Sequence, residues 1–293
     1  MNISRLLPVL CMTIFSSHLM AASDSCYPFT QEQGRISIPI TIAGVESRAL
    51  LNTGTRTIGL SSGLAKQLNL AIEQTPPLTP RGGTPIPQPD IVRDVVVSAF
   101  AQDLAMEQVY VFEQDAAMVN MSLLMFSGIL LQIDYPQSQI CFLTRESMQL
   151  EDAANINMRT ATTGAPAIQV EVNGEKLWLL LQIGLQGGLS LDNSAARDIG
   201  LVDRNSVSDT AEDADSPLAE GVAESLQFGP FELGNIAVSY STQRTQKSQR
   251  PATVRARGGR RGVETRGELG HEVLKHFVVT LDFAEENMHI YAP

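Results

Sequence analysis

Two stretches are the most able to do chemistry: "ALLNTGTRTIGLSS" (49–62) and "LLLQIGLQGGLSL" (179–191). In each, an apolar strand runs into a small glycine-bearing turn and then into a second apolar run. Such a strand-turn device holds one side chain rigidly at the bottom of a cleft, where a carboxylate would serve as a general acid or base. The residues in that place are Asn52 and Gln182, 130 positions apart. Neither amide titrates near neutral or mildly acidic pH; each only donates and accepts hydrogen bonds.

Other candidates carry less. Asp134 and Asp282 are symmetric, but each ends a strand before a turn, "YPQSQ" or "FAEEN", where Asp caps the turn through its own backbone. Asp192 reads as a helix N-terminal residue, with Asn193 or Ser194 as alternative caps. "HEVLKH" (271–276) has histidines five apart, whereas a zinc-protease helix needs four to put both on one face, so no metal site is expected. There is no G-x-S-x-G, phosphate loop or dinucleotide fingerprint, and no cofactor is expected.

The elements that must position Asn52 and Gln182 are themselves repeated. "ISIPITIAGVESRALLNTGTRTIGLSSGLAKQLNL" (36–70) matches "AIQVEVNGEKLWLLLQIGLQGGLSLDNSAARDIGL" (167–201). Ile38, Ile40 and Ile42 stand with Ile168, Val170 and Val172, Gly44 with Gly174, and Gly54 with Gly184. After one inserted residue, Ala65 stands with Ala196 and Leu70 with Leu201. Period-two alternation gives a strand, "AGVE" or "NGEK" a hairpin turn, and a second strand enters the loop. A short helix follows. A second repeat, offset by 148, sets "MSLLMFSGILLQIDYPQSQICFL" (121–143) against "LGHEVLKHFVVTLDFAEENMHIY" (269–291).

The organisation expected is a signal peptide (1–22), an N-terminal segment (23–33), a first lobe (34–148), a linker (149–164) and a second lobe (165–293). Both lobes are strand-rich, which indicates an all-β class. Residues 75–90, "TPPLTPRGGTPIPQPD", read as a mobile loop or a hairpin lid. Residues 243–268 carry eight basic residues against Glu264 and Glu268. That segment reads as a solvated loop, or as an electrostatic contact with an anionic partner or with the acidic body, for which 208–221 is the candidate.

With 43% hydrophobic and 18% charged residues the chain is globular. A formal net charge of −11 argues against nucleic acid as a partner. "MNISRLLPVLCMTIFSSHLMAAS" has the layout of a secretory signal: Arg5, an apolar run from Leu6 to Phe15, then Ala21 and Ala22. The run is too short to span a bilayer, and no membrane span is expected later. The chain is therefore expected to be exported, to the periplasm or beyond the cell. Export would leave Cys26 and Cys141, an even pair that suggests a disulfide; two unpaired thiols are the alternative.

Two lobes that each offer an apolar strand and an x-T/S-G-like loop resemble the aspartic proteases of the retropepsin and pepsin type. The likeness is closest to exported bacterial chains with two retropepsin-like lobes. It implies an all-β aspartic protease fold: two similar β-barrel-like lobes with short helices and a cleft between them. It also implies that each loop is backed by an apolar-apolar-Gly turn leading into a short helix. Leu269 and Gly270 match that turn in lobe two, and Ser122 stands at the glycine position in lobe one.

Family members use two carboxylates that share one proton, one as base on a water and the other polarising the scissile carbonyl. Here the dyad positions are Asn52 and Gln182. Thr53 and Gly54 keep the family's loop in lobe one. Lobe two has Ile183 before Gly184, without the hydroxyl that locks the loops together in the family. The resemblance thus implies a non-catalytic relative that binds a peptide or protein in its cleft. The alternatives are an active aspartic-type endopeptidase with a non-standard site, or a scaffold acting through the basic loop 243–268. The ligand and the oligomeric state are not read from the sequence.

Overall fold

Alternating apolar residues set the strands. In Arg35–Ile42, Ile36, Ile38, Ile40 and Ile42 are buried, and in Pro166–Val172 so are Ile168, Val170 and Val172. Each such side chain contributes about 1.5–3 kcal/mol by leaving water. The computed structural model describes residues 24–55, 57–79, 83–202, 218–242 and 262–293. The expected signal peptide, residues 208–217 of the acidic stretch and 243–261 of the basic loop lie outside the described residues.

The first half of the chain contributes β1 (Ser25–Pro28), β2 (Thr30–Glu32), β3 (Arg35–Ile42), β4 (Val45–Asn52), β5 (Gly59–Ser61), β6 (Asp90–Ala99), β7 (Gln102–Phe112), β8 (Val119–Ser122), β9 (Leu130–Asp134) and β10 (Gln139–Leu143). The second contributes β11 (Ile156–Thr160), β12 (Pro166–Val172), β13 (Glu175–Leu181), β14 (Leu189–Leu191), β15 (Leu218–Phe228), β16 (Phe231–Ser241), β17 (Gly267–Leu269), β18 (Val278–Asp282) and β19 (Asn287–Tyr291). Four short helices join them: α1 (Ser62–Gln67), α2 (Leu150–Ala153), α3 (Asn193–Asp198) and α4 (His271–Leu274). A 3-10 turn spans Leu123–Phe126.

Lobe one is a sheet in the order β2-β3-β4-β8-β5-β7-β6, closed into a barrel where β3 also pairs with β6. Lobe two repeats it as β12-β13-β17-β14-β16-β15, closed where β12 pairs with β15. The two similar, all-β barrel lobes expected from the repeat are thus observed. The repeat extends to the backbone. Gly34 and Gly164 both have positive φ (74° and 87°), as do Gly44 and Gly174 (79° and 86°) at the paired hairpins.

A third layer ties the lobes: β1-β10-β9-β18-β19-β11. At its centre β9 and β18 pair antiparallel, and Gln132 faces Thr280, its own counterpart at the 148-residue offset. Gln132 Nε2 donates to Thr280 Oγ1 at 3.0 Å. The pseudo-twofold axis relating the lobes passes between these two residues. The segment 23–33 and the linker 149–164 also carry structure. β1 and β2 extend two different sheets, and β11 bridges β19 to β12.

Cys26 and Cys141 face each other in the β1–β10 register and form a disulfide. Asp134 and Asp282 cap turns as expected. Asp134 Oδ1 accepts from Gln137 N at 2.8 Å; Asp282 Oδ1 accepts from Ala284 N and Glu285 N, both at 3.1 Å. Asp282 also accepts from both terminal guanidinium nitrogens of Arg145, Nη1 and Nη2. Among the described residues, no helix is long and apolar enough to cross a membrane.

Candidate functional site

β4 and β13 deliver Asn52 and Gln182 to the seam between the lobes, because each strand ends where its barrel meets the other. Both line one cavity of about 330 Å³, together with Arg35, Leu50, Leu51, Asn120, Gly184, Leu185 and Glu268. The loops interlock. A Cβ placed on Gly54 would lie 2.8 Å from Gln182 Nε2, and one placed on Gly184 would lie 3.6 Å from Asn52 Cβ. Only a residue without a side chain at 54 lets the opposite amide approach so closely.

Each amide oxygen is held by its own loop. Asn52 Oδ1 accepts from Thr55 N at 3.1 Å and from Thr55 Oγ1 at 2.9 Å. Gln182 Oε1 accepts from Gly184 N at 3.3 Å. Across the interface Thr53, fully buried, donates its hydroxyl to the carbonyl of Leu181. The mirrored position is Ile183, equally buried but without a hydroxyl, so the lock is one-sided.

The turns behind the loops differ for a steric reason. In lobe two Gly270 N donates to Gly188 O at 2.8 Å, Gln182 N to Leu269 O at 3.0 Å, and α4 begins there. A Cβ on Gly270 would meet Gly187 O at 2.5 Å, so this position takes only glycine without movement. In lobe one Ser122 pairs with Asn52 in the β4–β8 register. Its Oγ accepts from Leu124 N at 3.1 Å, capping the 3-10 turn, and donates to Thr55 O. A hydroxyl thus takes up backbone groups where lobe two closes backbone on backbone.

The remaining sequence candidates lie elsewhere. Asp192 is the N-cap of α3, accepting from Ala195 N at 2.6 Å, as Ser61 caps α1 by accepting from Leu64 N at 3.2 Å. Arg266 bonds Asp192 (3.2 Å) and Asp198 (3.0 Å), so at this residue the basic segment does engage acidic groups of the body. His271 is buried against Tyr135, with ring centroids 5.8 Å apart, whereas His276 is exposed. The described residues of 75–90 include a hairpin rung, with Leu78 and Ile86 exchanging hydrogen bonds at 2.9 and 2.8 Å. A larger cavity of about 710 Å³ lies against Tyr27, Pro39, Arg48 and Phe100 and contains neither Asn52 nor Gln182.

Two charged residues of the cleft floor escaped sequence reading: Arg35 and Glu268. Arg35 looks like an ordinary polar residue at the start of a strand. Glu268 counts, in sequence, as one of two acids within a basic loop. The repeat carries the signal that finds them. Glu268 stands 148 positions after Asn120, two residues before the Gly270 that matches Ser122. Burial raises the Glu268 pKa above the usual carboxylate range.

No protein-family model and no curated protein matches the chain. Among solved structures it is similar to a retropepsin-like aspartic protease from Rickettsia conorii. That match has 14% identity and a TM-score of 0.31, over 41% of this chain and 91% of that one. It is also similar to basic 7S globulin from soybean, at 9% identity and a TM-score of 0.49, over 92% of this chain and 95% of that one.

Proposed function

We propose that this protein is a pseudoprotease: an exported chain that binds an extended peptide or protein segment between its lobes without cleaving it. The observation that carries this reading is the pair of amides, Asn52 and Gln182, on one cavity floor, with both oxygens held by their own loops. Water activation needs a group that takes a proton in the transition state, and losing such a base costs about 10²–10⁴-fold. An amide supplies none, and here both positions carry one. What the amides supply is hydrogen-bonding capacity without the repulsion of two adjacent carboxylates, which suits the backbone groups of a strand-like ligand.

Export fits the apolar N-terminal run, and the Cys26–Cys141 disulfide suits an oxidising compartment. The test is binding and cleavage measured together. Labelled extended peptides should be retained by the protein and recovered intact between pH 3 and 7. Asn52→Asp with Gln182→Asp and Ile183→Thr should then bring in cleavage blocked by a transition-state-mimicking inhibitor. A triple variant that folds, binds and still fails to cleave would count against the site assignment.

A further inference from the structure

The cleft floor is symmetric in its fold and asymmetric in its charge. Arg35, from β3 of lobe one, and Glu268, from β17 of lobe two, line the same cavity as Asn52 and Gln182. At the repeat offsets their counterparts are neutral: Ala165 stands for Arg35 in lobe two, and Asn120 for Glu268 in lobe one. One lobe therefore supplies a cation and the other an anion, on a floor otherwise made of amides, glycine and leucines.

Among the described residues neither charged side chain has an ion-pair partner. Arg35 Nε is buried and has no hydrogen-bond partner. Among the described residues the Glu268 side chain forms no hydrogen bond or ion pair, although its backbone pairs within the sheet, and burial alone perturbs it. Some other charged residues of the same lobes are paired, Arg48 with Glu32, Arg93 with Glu73, and Arg266 with Asp192 and Asp198, while Arg197 Nε, away from this cavity, is also left without a partner. Half-buried charges left unpaired cost stability, and a ligand that brings the opposite charge recovers it.

We propose that the cleft selects a peptide segment bearing one acidic and one basic side chain a few residues apart. The acid meets Arg35 of lobe one and the base meets Glu268 of lobe two. The inference rests on the peptide-binding reading above and adds the ligand's charge pattern to it. A guanidinium offers a carboxylate a two-pronged contact, and a carboxylate accepts readily from lysine or arginine.

The test uses fluorescence anisotropy on the purified, disulfide-bonded protein. Four series of short labelled peptides share a neutral extended backbone and carry no charge, one Glu, one Lys, or Glu and Lys separated by two to four residues. The doubly charged peptide should bind tightest, with roughly tenfold for each matched charge. Arg35→Met should erase the gain from Glu and leave the gain from Lys; Glu268→Gln should do the reverse. Equal binding of all four series, unchanged in both variants, would overturn the charge selection while leaving peptide binding standing. Failure to bind any series would overturn both. Circular dichroism of each variant confirms that a lost gain is not lost folding.

Discussion

Thr53 donates its hydroxyl across the lobe interface to the carbonyl of Leu181, the residue immediately before Gln182. The reciprocal bond is absent because Ile183 occupies the mirrored position. Among the described residues one side-chain hydrogen bond therefore registers the two loops, and apolar Ile183 stands on the other side. Thr53→Val keeps the volume and leaves Leu181 O buried without that donor. It is expected to cost about 1–3 kcal/mol in urea unfolding. An unchanged midpoint would show that the loops are held by packing alone.

The disulfide closes a long loop, since Cys26 and Cys141 are 115 positions apart in sequence. It staples β1 to β10 at one edge of the layer that joins the lobes. Replacing both cysteines by alanine is expected to lower stability by about 2–5 kcal/mol. Reduction of the wild-type protein should give a shift of similar size in the same assay. Coincident curves before and after reduction would count against a structural role for this bridge.

Gly270→Ala is expected to be costly although the backbone at this residue is extended, with φ near −118°. The added methyl would meet Gly187 O at 2.5 Å, and backbone must move to admit it. A loss of about 1–3 kcal/mol is expected, as for overpacked core positions. Ser122→Ala removes a cap and a donor instead, and should cost about 0.5–2 kcal/mol. A neutral Gly270→Ala variant would mean that this turn is looser than its geometry.

Glu268 links stability to pH. Its folded-state pKa is raised by burial, so its contribution is most favourable below the ordinary carboxylate range, when it is protonated, and is lost as pH rises through the raised value. The groups around it are Leu180 and Ser190 on the flanking strands, the amides of Asn52, Asn120 and Gln182, and the Arg35 guanidinium on the same cavity. Glu268→Gln should therefore raise the thermal midpoint at pH 7, with the gain fading toward about pH 4. A variant less stable than wild type at pH 7 would mean that Glu268 is paired in the free protein.

Most of the architecture was legible because the chain states it twice. Ile38, Ile40 and Ile42 against Ile168, Val170 and Val172 gave matching barrel strands. Asp134 and Asp282 matched as turn caps because each follows an apolar strand and precedes a polar turn. The layer joining the lobes was less visible. Ser25–Pro28 and Ile156–Thr160 are short, and nothing local announces that their partners lie in β10 and β19, more than a hundred residues away. The charged pair on the cleft floor was hidden for a different reason. Arg35 and Glu268 matter through being where their repeat counterparts are neutral, and the repeat draws the eye to likeness.

The central claim is that the cleft holds peptide and does not hydrolyse it. Its most direct test incubates the purified wild-type protein with a mixed peptide library from pH 3 to 7, then identifies both retained and released species by mass spectrometry. The expected result is a retained subset of intact peptides and no new termini at any pH. Peptides cleaved at reproducible positions, with cleavage abolished by a transition-state-mimicking aspartic protease inhibitor, would contradict the account; so would a library from which nothing is retained.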